Sequence, residues 1–152
     1  MMRPKHILAP TDFSHHAEVA VKSAFELAEQ FGATLHLVHS LAEPVSAIAP
    51  EPMVVAAPPP EFYEESEKSC LEALQKTADQ LGSPKVNLVR AALWGAPVDT
   101  VLEYATRNPI DLIVISTHGR TGLSHVLLGS VAESIVRNAP CPVLSIRDNA
   151  KD

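Results

Sequence analysis

Asp111-Leu-Ile-Val-Ile-Ser116 decides the fold, because it is the clearest strand in the chain. Its unbroken run of leucine and β-branched residues suits a strand that is buried on both faces, as strands of parallel sheets are. A loop rich in glycine, serine and threonine follows it, and a segment of helical periodicity begins near Ser130. A buried strand that leads through a loop into a helix indicates an α/β protein.

Outward from this strand, apolar runs of strand length alternate with segments of helical periodicity along the whole chain. This alternation predicts one open, five-stranded parallel sheet of order 3-2-1-4-5 with helices on both faces, a Rossmann-like architecture. The predicted strands are His6–Ala9, Thr34–Val38, Val86–Arg90, Leu112–Ile115 and Val143–Ile146.

Two helices are predicted in the first half of the chain. The first has an apolar stripe from Ala17 to Phe31, and Gly32 follows it as a C-cap. The second starts after Pro60 with acidic residues in its first turns, where they interact well with the helix dipole, and it ends at Leu81. Both helices have the length expected for crossovers between parallel strands.

Two further helices are predicted in the second half. One opens at Pro97, a residue that is well tolerated at the first helical position. The other begins near Ser130, whose spacing to Glu133 is that of a capping box. In this last helix, we expect three residues to be buried: Val131, Ile135 and Val136.

Composition places the chain among globular proteins of one domain, residues 1–152. Hydrophobic residues make up 46%, charged residues 20%, and the net charge is −6, which argues against nucleic acid or an anionic membrane as a partner. The two cysteines, Cys70 and Cys141, are far apart and form no metal or redox motif. With no signal peptide or long apolar run visible, we expect a cytoplasmic protein.

A proline-rich loop, residues 43–60, interrupts the regular alternation. Its prolines favour extended backbone, and unstructured connections of this length are uncommon inside a compact domain. It leaves the second strand at the carboxyl edge of the sheet, where α/β proteins bind ligands. The loop either partly covers a pocket or is a disordered insertion.

The loop between the fourth strand and the last helix is the most informative segment. Glycines and hydroxyl residues there would expose backbone N–H groups beside the positive end of a helix, which suits a phosphate. Gly119 and Gly129 would let the backbone approach an anion closely or adopt positive φ. The alternative is that Gly129 and Ser130 merely turn the chain and cap the helix.

A second polar loop, Pro10-Thr11-Asp12, follows the first strand. Asp12 could accept hydrogen bonds from a ribose, a base or a metal-bound water, or it could be the N-cap of the first helix. In a sheet of order 3-2-1-4-5 the first and fourth strands are neighbours at the switch point. Both polar loops would then face one crevice.

The chain has neither of the two better-known phosphate motifs, since GxxxxGK[ST] is absent and GxGxxG does not follow the first strand. Arg120 is the only cation between Asp111 and Ser130. Phosphate binding would depend on amides, hydroxyls and Mg²⁺, and such a site lacks an obvious means of rapid phosphoryl transfer. Histidines form no convincing metal site, and His118 is the one we expect to touch a ligand.

These residues resemble the universal stress protein family over essentially the whole chain. The matching segments are ILAPTDFS at 7–14, LHLVHS at 35–40, the Gly95-Ala-Pro97 turn, DLIVISTHGRTGLSHVLLGS at 111–130 and NAPCPVLSIR at 138–147. ATP-binding members of the family carry the signature GxxGx9G[ST]. Gly119, nine residues and then Gly129-Ser130 match its second half, whereas Ser116 replaces its first glycine. If that position needs positive φ, the serine costs about 1–2 kcal/mol; at negative φ the cost is small.

Residue by residue, the resemblance implies an ATP site. The phosphates would contact the backbone amides of four residues: Gly119, Gly129, Ser130 and Val131. Ser116 would sit near the ribose, Pro10, Thr11 and Asp12 would line the base and ribose side, and the main chain of Ser40 would reach the adenine.

The family resemblance also implies a homodimer through the last strand, near Pro142 to Arg147, because exposed edge strands invite pairing. The function it implies is a nucleotide-dependent regulator of the stress response that binds ATP, together with Mg²⁺, and acts on an unidentified protein partner, with at most slow hydrolysis. The alternative is a nucleotide-free dimeric interaction scaffold of the same fold. An adenylate-transferring enzyme is disfavoured, because neither a HIGH-like nor a KMSKS-like element is present.

Overall fold

The computed structural model describes residues 3–44, 56–118 and 128–148. Strands and helices alternate in these parts of the chain. In chain order they are β1 (His6–Pro10), α1 (His15–Phe31), β2 (Thr34–Leu41), α2 (Pro60–Leu81), β3 (Asn87–Trp94), α3 (Pro97–Arg107), β4 (Leu112–Ser116), α4 (Ser130–Asn138) and β5 (Val143–Ile146).

The strands form one parallel sheet of five strands in the order β3-β2-β1-β4-β5. The predicted fold class and strand order are therefore confirmed. β1 lies at the centre, paired with β2 through His6 opposite Thr34 and with β4 through Ile7 opposite Leu112. From β1 the chain adds β2 and β3 on one side and then β4 and β5 on the other side. The order therefore switches between β1 and β4, and the carboxyl ends of these two strands border the switch point.

Two hydrophobic cores lie on the two faces of the sheet, because successive side chains of a strand point to opposite faces. Ile7 of β1 belongs to the core that packs against α1 and α2, and it is fully buried. Its neighbour Leu8 belongs to the core under α3 and α4. Helices thus cover both faces, which is why the central strands are apolar in almost every position.

The ends of α1 follow local rules. Ser14 is the N-cap, and its hydroxyl accepts a hydrogen bond from the backbone N of Ala17 at 3.2 Å. Gly32 ends the helix with φ of 65°, a conformation that glycine adopts at little cost, and this confirms the predicted C-cap. The expectation that Phe31 belongs to the buried stripe is wrong, since it is 38% exposed, and Phe25 is buried in its place.

The predicted details of α4 are wrong in two respects. Ser130 is the first helical residue and not a cap, and Glu133 accepts hydrogen bonds from Arg137, so the capping box does not form. Val131 and Val136 are 43% and 47% exposed. The helix is rotated so that Ala132 and Ile135 face the core, because those two positions share a face at i and i+3.

The strands β2 and β3 extend further towards their carboxyl ends than their apolar patterns predict. Residues 45–55 of the proline-rich loop lie outside the described residues, so the alternatives for that loop stay predictions. No helix in the described parts of the chain is long and apolar enough to cross a membrane.

Candidate functional site

A crevice of about 540 Å³ opens at the carboxyl edge of the sheet, between the loops that follow β1 and β4. Its volume is that of pockets that bind small molecules and cofactors. All the predicted site residues that the structure describes line it: Pro10, Thr11, Asp12, Ser40, Ser116, His118, Gly129, Ser130 and Val131. Gly119 and Arg120 lie outside the described residues.

The loop after β1 is held by its own side chains. Thr11 is buried, its backbone N donates to the Val38 carbonyl at 2.9 Å, and its hydroxyl accepts from the backbone N of Phe13 at 3.0 Å. Asp12 accepts a hydrogen bond from the backbone N of Ser14 at 2.9 Å. Because Ser14 caps α1, Asp12 is not the helix cap. Its carboxylate forms part of the wall of the crevice instead.

The loop after β4 turns on the side chain of Ser116. Its hydroxyl donates to the carbonyl oxygen of His118 at 2.6 Å and accepts from the backbone N of His118 at 3.3 Å. Ser116 is the last residue of β4. Of the described non-glycine residues only Phe13 has positive φ, so the strain considered for Ser116 does not arise.

The two ends of this loop are tied together by Gly129. Its backbone N donates to the carbonyl oxygen of Thr117 at 2.6 Å. The φ of Gly129 is −66°, so the alternative that it needs positive φ is wrong. A Cβ atom here would lie 3.1 Å from the Thr117 oxygen, a tight contact that favours glycine at this close approach.

The N-terminus of α4 opens into the crevice. Gly129, at the N-cap, has no side chain with which to cap the helix, while Ser130 and Val131 line the crevice. The first amides of a helix have no acceptor within the helix, and they lie at the positive end of its dipole. This end of the crevice is therefore suited to an anion.

The opposite end of the crevice is formed by the end of β2. The carbonyl of Val38 faces β1, and the carbonyl of Leu41 faces β3, where it accepts from the backbone N of Gly95. Because main-chain groups alternate along a strand, those of Ser40 face β1. The pairing of β1 with β2 ends at Pro10 opposite Val38, so these groups of Ser40 face the crevice beyond it.

Sequence reasoning missed most of the apolar wall and one histidine. His39 lines the crevice, donates from Nδ1 to the carbonyl oxygen of Thr11 at 2.7 Å and packs on Phe13 with ring centroids 4.6 Å apart. The N-terminal parts of α1, α3 and α4 could have indicated part of this wall, since these helices start at the edge of the sheet where the preceding strands end. The apolar lining residues are Ala17, Leu41, Ala42, Pro97, Val101, Ile115, Ala132 and Ile135.

Charged and metal-binding groups are sparse around the crevice. Asp12 is the one carboxylate among the described lining residues, and none of them is lysine or arginine. His16 lies beside His118 with ring centroids 6.2 Å apart, and it contacts Asp148 at 3.5 Å. In the described ranges no group of three or more histidine, cysteine, aspartate or glutamate side chains is arranged to hold a metal ion.

The cysteines lie away from the crevice. Both thiols are free; Cys70 is buried in the core under α2, and Cys141 is half-buried before β5. Burial raises the pKa of both thiols, and Glu67 and Asp111 raise it further for Cys70 and Cys141 respectively. Such thiols are poor nucleophiles at neutral pH.

The sheet order and the crevice at its switch point define a class, the doubly wound α/β proteins with a ligand site between two strand ends. Within this class the chain belongs to the universal stress protein family, whose model matches residues 4–147. It is 33% identical over 149 residues to the universal stress protein MJ0531 of Methanocaldococcus jannaschii, covering 97% of this chain and 85% of that protein.

Solved structures show the same fold. The hypothetical protein MJ0577 has a TM-score of 0.78 at 24% identity, covering 99% of this chain and 100% of that one. A universal stress protein in complex with cAMP has a TM-score of 0.65 at 23% identity, covering 95% and 98% of the two chains. One from Archaeoglobus fulgidus in complex with dAMP has a TM-score of 0.64 at 23% identity, covering 95% and 99%. Some structural neighbours thus bind nucleotides.

Proposed function

We propose that this protein is an ATP-binding regulator of the stress response that holds the nucleotide in the crevice between the loops after β1 and β4. The observation that carries the proposal is the N-terminus of α4, which begins after Gly129 and opens into the crevice through Ser130 and Val131. Backbone amides at a helix N-terminus bind phosphate without a lysine. Gly119, which the family signature implies, and Arg120, the one cation of this loop, complete the phosphate end in this proposal.

The order of the lining groups along the crevice suits a nucleoside. Asp12 and Ser116 stand between the helix N-terminus and the end of β2, where a ribose would lie. The main-chain groups of Ser40 face the crevice beyond β1, and they would pair with the edge of the base. The apolar wall around Leu41 and Pro97 would pack against its faces. Relatives of this fold in complex with cAMP and dAMP support an adenine nucleotide.

Mg²⁺ would accompany the triphosphate. It favours oxygen ligands, keeps several waters, and is commonly bound through one carboxylate and the phosphates themselves. Asp12 offers that carboxylate, so the described residues fit such an ion. Bound Mg²⁺ would neutralise phosphate charge that no described lysine or arginine of the crevice can offset.

The residues that line the crevice would support at most slow hydrolysis of ATP. Rapid phosphoryl transfer needs charged clamps on the transferred group and a residue that orients the attacking nucleophile. The described lining residues supply amides, hydroxyls, two histidines and one carboxylate, with no cationic clamp among them. The bound nucleotide would thus act as a regulatory ligand and not as a substrate. A protein partner in the cytoplasm would recognise the nucleotide-bound form.

A second copy of the chain is the partner that we propose for β5. This strand lies at the edge of the sheet, and Leu144 on it is 38% exposed. The carbonyls of Pro142 and Ile146 accept hydrogen bonds from β4, so the main-chain groups of Val143 and Ser145 face away from the sheet. An open edge of this kind favours pairing with the same strand of another subunit.

Calorimetric titration with adenosine, AMP, ADP and ATP, each with Mg²⁺, tests the nucleotide assignment on protein stripped of bound ligand. If phosphates lie at the N-terminus of α4, we expect affinity to rise with each added phosphate. If adenosine binds as tightly as ATP, the phosphates do not contact the N-terminus of α4. No heat and no thermal shift with any of the four would leave the nucleotide-free dimeric scaffold as the function.

A further inference from the structure

A hydrogen-bonded chain of two histidines and a tyrosine lies on the face of the sheet that α3 covers. His6 Nδ1 is 3.1 Å from His36 Nε2, and His36 Nδ1 is 2.9 Å from the hydroxyl oxygen of Tyr104. His36 is only 6% exposed, whereas His6 is half-buried and closer to solvent. None of the three lines the crevice, so the nucleotide site does not account for them.

The hydrogen-bonded group His6–His36–Tyr104 can accept one proton in addition to those of its neutral state without losing a hydrogen bond, but it cannot accept two. In the neutral state each of its two hydrogen bonds has one hydrogen, because a neutral imidazole carries a single N–H. One added proton on His6 keeps both bonds: His6 donates to His36, and His36 donates to Tyr104. A second proton on His36 would point two N–H groups at each other across 3.1 Å.

Among the described residues, the polar side chains that contact His36 are those of His6 and Tyr104, and neither is a carboxylate. Burial lowers its pKa, and His6 lowers it further. Asp111, which precedes β4, accepts hydrogen bonds at Oδ2 from the backbone N of Lys5 and of His6, so this carboxylate is already engaged at the His6 end. Burial also raises the pKa of Tyr104, which keeps its hydroxyl protonated.

The charged groups of α3 and β3 that lie closest in sequence to these residues have partners elsewhere. On α3, Glu103 and Arg107 form an exposed ion pair with each other at 2.6 Å. On β3, Arg90 donates to the carbonyl oxygen of Leu71 of α2, on the opposite face of the sheet. A second proton on the histidine pair therefore meets no described carboxylate on α3 or β3 that could offset it.

The helix that carries Tyr104 also forms part of the crevice. Pro97 and Val101 of α3 line it, and the hydroxyl of Thr100 lies 2.6 Å from that of Ser40. Thr100 donates to the carbonyl oxygen of Ala96, so Ser40 is the donor in their contact. Tyr104 follows Thr100 by about one turn of helix. A displacement of α3 at Tyr104 would thus move the base end of the crevice.

We propose that the chain His6–His36–Tyr104 is an acid-sensitive latch that holds α3 against the sheet and thereby sets the affinity of the crevice for its nucleotide; this output depends on the proposed function. Above the pH at which the pair takes its second proton, Tyr104 anchors α3. Below it, two N–H groups face each other between His6 and His36, and the two rings repel each other. Because His36 stays bonded to Tyr104, the movement of its ring displaces α3, and the base end of the crevice loosens.

The test compares ATP affinity at pH 7.5 and pH 5.5 in the wild type, His36→Leu, Tyr104→Phe and a control, His15→Gln. His15 is an exposed histidine outside the chain and the crevice. We expect acid to weaken binding about tenfold in the wild type and the control, within the usual range of coupling between sites. In the two latch variants the ratio should shrink to about twofold, leaving only the titration of the nucleotide and other groups. An equal ratio in all four proteins overturns the latch.

Hydrogen exchange of the backbone amides of α3, corrected for intrinsic exchange rates, tests the latch in the absence of nucleotide. Protection of residues 97–107 should fall at pH 5.5 in the wild type and stay constant in Tyr104→Phe. Constant protection in the wild type overturns the latch even if ATP binds. If ATP fails to bind at either pH, the proposed function is overturned, and this exchange experiment still decides whether α3 responds to acid.

Discussion

The backbone N of Gly129 donates a hydrogen bond to the carbonyl oxygen of Thr117 at 2.6 Å. This bond joins the end of β4 to the start of α4 and sets the direction of the helix N-terminus into the crevice. A Cβ atom on Gly129 would lie 3.1 Å from the same oxygen, closer than an ordinary contact. The site therefore depends on the absence of a side chain here.

For Gly129→Ala, we expect ATP affinity to fall about tenfold, since relieving the contact moves the helix amides away from the phosphates. Isothermal titration measures this loss. Gly32→Ala is the matched control, because Gly32 has φ of 65° at the end of α1 and lies outside the crevice. It should lower stability by about 1 kcal/mol and leave affinity unchanged. Wild-type affinity in Gly129→Ala would contradict the phosphate assignment.

Replacing Ser116 by glycine, the residue of the family signature, should not tighten ATP binding. Ser116 has no positive φ to relieve, and its hydroxyl shapes the turn at His118. Ser116→Gly and Ser116→Ala should therefore bind ATP equally. Glycine should be the less stable of the two by about 0.5–1 kcal/mol in urea titrations, because it has more conformational freedom to lose. Tighter binding by the glycine variant alone would mean that the bound state strains this position.

Variants at Asp12 and Ser14 distinguish a role in nucleotide binding from a role in helix capping. Asp12→Asn keeps an oxygen that accepts from the backbone N of Ser14 but removes the charge. We expect it to weaken ATP binding in Mg²⁺ about fivefold or more with little change in Tm. Ser14→Ala removes the N-cap of α1 and should cost about 1 kcal/mol of stability at unchanged affinity. The opposite pattern would return Asp12 to a structural role.

Acid should destabilise the fold through His36. Burial lowers its pKa in the native state below the ordinary value of 6.5, so the unfolded chain binds this proton first. Its contribution to stability is complete above pH 6.5, begins to fall as the pH drops past that value and is gone below the lowered native pKa. Urea titrations from pH 8 to pH 5 should show a weaker pH dependence for His36→Leu than for the wild type. Parallel curves would contradict this.

Ser145→Pro should break the proposed dimer without damaging the sheet. The N–H of residue 145 faces away from β4, so proline removes a hydrogen bond only from the open edge. Sedimentation velocity should show monomers for Ser145→Pro and dimers for the wild type and for Ser145→Ala, which keeps the N–H. A dimeric proline variant with unchanged Tm would place the interface on another surface.

Much of the site could be predicted from sequence because its residues follow the ends of strands. Thr11 and Asp12 come after one strand, and Ser116 and His118 after the other, so topology alone brings them together. His39 was missed because no local rule indicates which strand residues border a cavity. The latch pair His6 and His36 is separated by 30 residues, and only the register of β1 beside β2 brings their rings to 3.1 Å.

By itself the sequence determined the alternation of strands and helices, because the hydrophobic period and the positions of turns are local properties of the chain. The strand order was then expected from the doubly wound architecture that this alternation predicts. It also determined the helix end at Gly32, since that depends on one residue. Only the tertiary structure decided which face of α4 is buried, that Ser14 and not Asp12 caps α1, and that Ser116 is unstrained. Each of these depends on how an element is rotated and packed against its neighbours, and packing outweighs local preferences worth less than about 1 kcal/mol.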